Sequence, residues 1–401
     1  MKRNRLGVVQ GLACGLVSMG VLQAVGDGYR NPPPTAEGIG KSGVNSAFVD
    51  DASAISYNPA NLAFQTNASF VASLTFARTE NSYSPPAPLS FESDAEWVVL
   101  PNIYYAQPLG GSGMSLGLGI TTPHGQGLSW KSSEFLALVG AEPVPYEATL
   151  ALIDIGPTFA AKVSDSFAIG AGLDLYVSQL NLKALVPTGG PVLDSEGEGY
   201  GVGLGGNLSA TWIPAEGHRA VVTYKSQFSV DYEGDFELGG VSAGDFETTL
   251  EFPNIIGLGY GVQLNDKIQV EVLVEWLQWS VNDSQTLTAG ALGDLVIENN
   301  WDDTVTFGIG GSWQVNDSIV ARAGYAYLPT PIPDETITPL LPDADRHAIS
   351  FGLGYTTGSH SVDLAYTVSI YDDRSAPLTG AGPGTYEIDS NLIGLTYSLS
   401  F

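Results

Sequence analysis

The chain has 401 residues, 43 acidic against 15 basic, a formal net charge of −28 and 49 glycines. So negative a polymer excludes nucleic acid as a partner. Beyond the N-terminal segment no apolar run reaches the roughly 18–20 residues that a spanning helix needs, and one cysteine, Cys14, leaves no disulfide and no cysteine metal site.

In chain order, residues 1–26 read as a secretory signal peptide. Lys2, Arg3 and Arg5 precede the apolar stretch Leu6 to Val25, and Ala24 and Gly26 are the small residues before a cut ahead of Asp27. Cys14 falls inside this segment, and the acidic excess is larger without its three bases. Residues 27–65 do not alternate. Tyr29-Arg30-Asn31-Pro32-Pro33-Pro34 is followed by small residues and then Asp50-Asp51-Ala52-Ser53-Ala54-Ile55-Ser56-Tyr57-Asn58-Pro59-Ala60. The prolines deny this segment a strand.

From residue 66 the pattern becomes a dyad. Fourteen alternating segments are predicted, near 66–80, 95–108, 113–121, 147–163, 166–187, 199–213, 218–238, 246–264, 267–282, 301–315, 318–328, 346–357, 359–371 and 388–401. In the third, Met114, Leu116, Leu118 and Ile120 oppose Ser115, Gly117, Gly119 and Thr121. In the last, Ile393, Leu395, Tyr397, Leu399 and Phe401 oppose Gly394, Thr396, Ser398 and Ser400. An apolar face backed by a small, polar one is the two-sided wall of a membrane barrel.

The connections decide between a barrel and a soluble sandwich. Leu109–Ser112, Ser164–Asp165, Pro214–Gly217, Asn265–Asp266, Asn316–Asp317 and Gly358 are tight and carry hairpin-turn residues. The alternate connections, such as Pro123 to Tyr146 and Pro329 to Asp345, are long and rich in acid, proline and glycine. Short turns on one rim and long loops on the other mark a transmembrane barrel, the short rim being periplasmic. Tyr224, Trp212, Trp276, Trp313, Tyr325, Tyr327, Tyr355, Tyr397 and Phe401 lie toward strand ends on the apolar parity, as interfacial girdles do. The predicted fold is thus all-β, a fourteen-stranded antiparallel transmembrane β-barrel over residues 66–401. Residues 27–65 are predicted to sit inside its lumen as an N-terminal hatch, or plug.

Three motifs carry a family resemblance. Asp50-Asp51-Ala52-Ser53-Ala54 leads into Tyr57-Asn58-Pro59-Ala60. Gly201-Val202-Gly203-Leu204-Gly205 precedes Tyr224-Lys225-Ser226 and Asp231-Tyr232-Glu233-Gly234-Asp235. Arg322-Ala323-Gly324-Tyr325-Ala326-Tyr327 precedes Pro331-Ile332-Pro333-Asp334 and Leu341-Pro342-Asp343-Ala344-Asp345-Arg346. In this order they resemble the FadL-type outer-membrane transporters of long-chain fatty acids and other hydrophobic compounds. The resemblance implies a hatch-filled barrel of fourteen strands in the outer membrane of a Gram-negative-type bacterium. It also implies lateral delivery of substrate through a gap in the wall beside a kinked strand, with Asn58, Pro59 and Ala60 near that gap. The short loop from Thr188 to Glu198 departs from the long insertion of better-known members.

Candidate contacts follow from parity. Lys225, Arg322 and Arg346 point inward, since a base on the lipid face costs roughly 2–4 kcal/mol at the midplane. Such a cation can hold a fatty-acid carboxylate. Pairing with inward acids such as Glu271 and Glu275, or with the hatch, is the competing role. Phe135, Leu136 and Leu138, after Trp130, form an apolar cluster in a loop that faces water. It reads either as a capture patch or as a rim contact buried against Pro143, Val144 and Pro145. Pro101 and Pro157 mark possible bends within strands. Asp50 and Asp51 read as a cation site or, more often for such a pair, as helix-capping acids. No catalytic constellation, metal pattern or cofactor motif is found. The function expected is passive uptake of a hydrophobic small molecule, a fatty acid or a neutral lipophile, and its release into outer-membrane lipid. A general porin and a purely structural barrel are the alternatives. The acidic rim repels anions over a range near 10 Å at 0.1 M salt, which favours neutral lipophiles at least as much as carboxylates.

Overall fold

The computed structural model describes residues 27–401; the signal-peptide reading, with Cys14, lies outside them. The barrel strands are β1 (Ser69–Ser84), β2 (Val98–Pro108), β3 (Met114–Thr121, resuming as Gly125–Ser129), β4 (Val144–Ser164), β5 (Phe167–Pro187) and β6 (Val192–Trp212). They continue as β7 (His218–Lys225 and Phe228–Leu238), β8 (Val241–Phe252 and Ile255–Asn265), β9 (Ile268–Leu277), β10 (Thr304–Asn316), β11 (Ile319–Leu328), β12 (Arg346–Thr357), β13 (His360–Tyr371) and β14 (Gly384–Ser400). Each pairs antiparallel with its neighbours, and β1 closes on β14 from Ser69↔Ser400 to Ser84↔Thr385. The result is a closed barrel of fourteen strands. Closure leaves no end strand without a neighbour, which a wall in hydrocarbon requires.

The dyad explains the two faces. On β13, Leu364, Tyr366, Val368 and Ile370 are exposed on the outside, whereas Asp363, Ala365 and Thr367 are buried within. Paired His and Tyr side chains mark the interfaces. His218 meets Tyr260 at 2.9 Å and His360 meets Tyr397 at 2.7 Å near the short-turn rim; Tyr325 meets His347 at 2.8 Å near the other.

Several strands run beyond the apolar band. The loop expected from Thr188 to Glu198 is largely strand, with Asn181 opposite Glu198 and Lys183 opposite Glu196. Polar outward residues above the membrane carry no hydrophobic alternation, so these extensions are silent in the sequence pattern.

The wall is interrupted in two places. The β2–β3 ladder ends at Ile103↔Ile120, and β3 breaks at residues 122–124, where Pro123 has no N–H to donate. Here Asn31 donates its backbone N–H to the Pro123 carbonyl, and Gly125 donates to that of Tyr29. A piece of the N-terminal segment therefore supplies the partner that β3 lacks. The second interruption separates β6 from β7 between Asn207↔Lys225 and Tyr200↔Glu233, with one extra residue on β7, a bulge that re-aims the strand. Of the two expected bends, Pro157 does interrupt pairing with β5, whereas Pro101 stays paired with Leu74. The main kink lies at Pro123, which the sequence pattern places in a loop.

Residues 27–65 pack against the inward face. They form α1 (Ala36–Gly40), α2 (Ala54–Tyr57) and a 3-10 turn, Pro59–Phe64. Inward glycines make room for them. A Cβ on Gly324 would lie 2.3 Å from the Lys41 carbonyl carbon, and one on Gly170 would lie 2.4 Å from the Ala60 nitrogen. Real Cβ atoms do not approach backbone so closely. We therefore expect Gly324→Ala to displace residues 38–44 at a cost of about 1–3 kcal/mol, read as a lower urea midpoint for the detergent-solubilised protein.

Candidate functional site

Between the N-terminal segment and the wall lies a cavity of about 180 Å³. At roughly 30 Å³ per water, that is room for about six waters or a single medium-sized organic molecule. The N-terminal segment contributes Arg30, Pro32, Pro33, Val44 and Ile55. The wall contributes Tyr176, Phe228, Ile255, Leu273 and Phe307, with a polar group discussed below. The cavity reaches both interruptions, touching Asn102 and Thr122 at one and Asn207 and Ser226 at the other.

Ion pairs fix the segment in place. Lys41 is 2% exposed and bonds Glu271 at 2.9 Å and Glu37 at 3.0 Å. The second oxygen of Glu271 accepts the Ala47 N–H at 2.8 Å. Arg30 joins Glu275 at 2.8 Å and Asp27 at 3.5 Å. Arg219 donates to the Ala47 carbonyl at 3.1 Å and lies over the rings of Phe48 and Phe64. Asn61 donates to the carbonyls of Ser46, Ala47 and Val49, which satisfies the turns of a segment with little regular structure.

The three predicted cations separate under this geometry. Arg322 is committed to Asp363 at 2.5 Å and to Glu37 of α1 at 3.4 Å, and it does not line the cavity; it anchors the segment. Arg346 is buried, has a partner, and lines the cavity. Lys225 lines the cavity on β7 and has no ion pair among the described residues. Asn58, Pro59 and Ala60 are fully buried against β5 and β6 near the short-turn rim. Asn58 Nδ2 donates to Thr211 Oγ1 at 2.8 Å, and the Ala60 N–H donates to Ser209 Oγ at 2.8 Å. The residues beside the β2–β3 interruption are instead Tyr29 to Asn31. Asp51 accepts from Ser53 N at 2.9 Å just ahead of α2, but no side chain bonds the first N–H groups of that helix, so the expected capping by Asp50 and Asp51 is not found there.

The long-loop rim is closed by an aromatic cap. Phe135, at the end of α3 (Ser132–Phe135), is buried rather than presented to water, Leu138 is half-buried against the same core, and Leu136 is 48% exposed. The expected capture patch is therefore mostly a rim contact: the Trp130 ring stacks on Phe135 with centroids 5.3 Å apart, and its Nε1–H donates to the Pro339 carbonyl at 2.9 Å. Burial pushes the Asp343 carboxyl of this cap above the usual carboxylate range, and it accepts the Gly28 N–H at 3.1 Å. Trp130→Ala should cost about 3–5 kcal/mol of cap packing and expose residues 130–143 to limited proteolysis.

Sequence reasoning missed Asp154, Asp174, Asn207 and His124, all on the cavity. The acids did carry a signal, since each sits on the inward parity of its strand with glycines beside it, Gly156 next to Asp154 and Gly170 and Gly172 before Asp174.

The family model for "Outer membrane protein transport protein (OMPP1/FadL/TodX)" matches residues 18–401. The long-chain fatty acid transport protein of Salmonella typhi is 21% identical, covering 94% of this chain and 95% of its own. Outer membrane protein P1 of Haemophilus influenzae is 23% identical over 75% of each. Among solved structures, a Pseudomonas aeruginosa FadL homologue superposes with a TM-score of 0.79 at 20% identity, covering 93% of this chain and 99% of that one. The P. putida toluene transporter TodX gives 0.76 at 20% identity, covering 92% and 99%. With a fourteen-stranded wall, an inward-packed N-terminal segment and a match over nearly its whole length, the chain belongs to the OMPP1/FadL/TodX family of outer-membrane channels for hydrophobic substrates.

Proposed function

We propose that the protein takes up hydrophobic molecules passively, long-chain fatty acids or similar lipophilic compounds, and releases them sideways into the lipid of the outer membrane. The observation that carries this reading is the cavity that abuts the β2–β3 interruption, where the ladder stops at Ile103↔Ile120. A lipophile held there has apolar walls on Phe228 and Ile255 and, beside it, a stretch of wall without strand pairing. It never has to solvate fully, which is the costly step for apolar surface. The relatives support the same class, being transport proteins for long-chain fatty acids in one case and toluene in another. The reading makes the chain a channel rather than an enzyme. It also makes residues 27–65 a plug that bars polar solutes, which disfavours a general porin.

Two reporters separate the routes: one confined to the bilayer, one dissolved in the lumen of liposomes whose outer leaflet is lipopolysaccharide. Lateral release makes the bilayer reporter respond first. A lumenal reporter that responds first, or glucose entry as fast as hydrocarbon entry, would contradict the proposal.

A further inference from the structure

The cavity wall carries a polar group on four adjacent strands. Asp154 lies on β4, Asp174 on β5, Asn207 on β6 and Lys225 on β7. The register brings them together: Asp154 faces Tyr176, Asp174 faces Gly205, Asn207 faces Lys225. Gly156 lies between the two acids, and a Cβ there would be 3.3 Å from Asp174 Oδ1 and 3.7 Å from Asp154 Oδ2.

The hydrogen bonding of this group is incomplete on one side. Asn207 Nδ2 donates to both oxygens of Asp174, at 2.9 and 3.1 Å. Thr121 Oγ1 donates to Asp154 Oδ2 at 3.5 Å. Asn207 Oδ1 and Asp154 Oδ1, however, have no partner among the described residues, although Asn207 is only 7% exposed. Lys225 adds three N–H donors and has no ion pair among the described residues. The set thus offers two open acceptors and one open cationic donor. Beside it stands an aromatic platform. The Tyr176 and Phe228 rings stack with centroids 3.6 Å apart, Phe228 and Phe252 at 4.4 Å, and His124 packs on Phe252 at 5.0 Å.

Each simple ligand class meets this set differently. A carboxylate would satisfy Lys225 but press its charge against Asp154 and Asp174. An ammonium would satisfy the acids but meet Lys225. A bare hydrocarbon would leave all the open groups unpaired, at the cost of burying them dry. A hydroxyl donates one hydrogen bond and accepts others, so it can give its proton to Asp154 Oδ1 or Asn207 Oδ1 and accept from Lys225 Nζ.

Building on the channel reading above, we propose that Asp154, Asn207 and Lys225 form a subsite for an uncharged hydroxyl on a hydrocarbon body, making lipophilic alcohols and phenols a preferred substrate class. The aromatic platform holds the hydrocarbon body while the polar group orients the head. Hydrogen bonding to a substrate hydroxyl discriminates strongly against the analogue without it.

The test is equilibrium binding of tritiated dodecane, 1-dodecanol and dodecanoate to the detergent-solubilised protein, in one detergent at one concentration. The wild-type protein is expected to bind the alcohol at least tenfold more tightly than the alkane, and more tightly than the acid. Asp154→Leu and Lys225→Met should each collapse the alcohol-to-alkane ratio toward one; persistence of the folded band on unboiled gels checks that the barrel is intact. Equal affinity for alcohol and alkane in the wild type overturns the subsite while leaving the channel reading standing. Tightest binding of dodecanoate, lost in Lys225→Met and raised in Asp154→Leu, overturns it in favour of a carboxylate clamp. Binding of none of the three overturns the subsite and the channel reading together.

Discussion

Lys41→Met is expected to release the N-terminal segment from the wall. The ammonium it removes is 2% exposed and holds two carboxylates, Glu271 and Glu37, at 2.9 and 3.0 Å. Glu271 is itself 2% exposed. Breaking a buried pair by deleting one partner costs about 3–5 kcal/mol, because the remaining charge has no solvent to return to. Methionine keeps the length and the apolar stem, so the effect reports charge and not a hole. Glu37 also contacts Arg322, and that contact survives, so the loss falls on the Glu271 side and on the Ala47 N–H that this carboxylate orders. The expected readouts are protease cleavage within residues 38–50 and single-channel openings in a planar bilayer. The double variant Lys41→Met with Glu271→Gln removes the stranded charge and should regain part of the loss, a non-additivity that simple misfolding would not give.

The second large effect is at the long-loop rim. Arg374, 9% exposed, gathers the 330–345 loop: it meets Asp334 at 2.9 Å, Thr330 Oγ1 at 3.2 Å and the Asp343 carbonyl at 2.6 Å, and it donates to the Ile332 carbonyl. No lysine reproduces this fork. Arg374→Met leaves buried carbonyls unpaired at about 1–3 kcal/mol each, so the loop should detach while the barrel persists. Hydrogen exchange should rise at residues 330–345 and stay unchanged in β12 and β13. This loop packs into the aromatic cap through Ile332 and Ile337, so binding of a lipophile should become faster in both directions. Unchanged exchange in the loop would show that Arg374 is not its fastener.

How much of this was readable in advance follows from what each feature depends on. The wall was legible because its physics is local: lipid outside and a narrow lumen inside force a period of two, visible in Val362 to Ile370 as in Ile393 to Phe401. Strand ends above the membrane were not, since Glu196 and Glu198 alternate with nothing hydrophobic. The kink at Pro123 was hidden by its position after the last apolar residue of the third segment, where a proline reads as the start of a loop. Parity told that Arg322, Lys225 and Glu271 face inward. It could not tell which would meet the N-terminal segment, because Lys41 and Glu271 are 230 residues apart in the chain and their contact depends on how a segment without periodicity coils inside the tube. Phe135 shows the same limit at the rim: an apolar run in a loop is an exposed patch or a cap according to which loops fold over it.

The most direct measurement is the steady conductance of the protein lacking its first 26 residues, compared with a variant that also lacks residues 27–65, in planar lipid bilayers. The longer protein should show no sustained channel of porin size, and the shorter one should conduct continuously through an emptied lumen. A large, stable conductance already present with residues 27–65 in place would contradict a plugged barrel, and with it a sideways route for hydrophobic cargo.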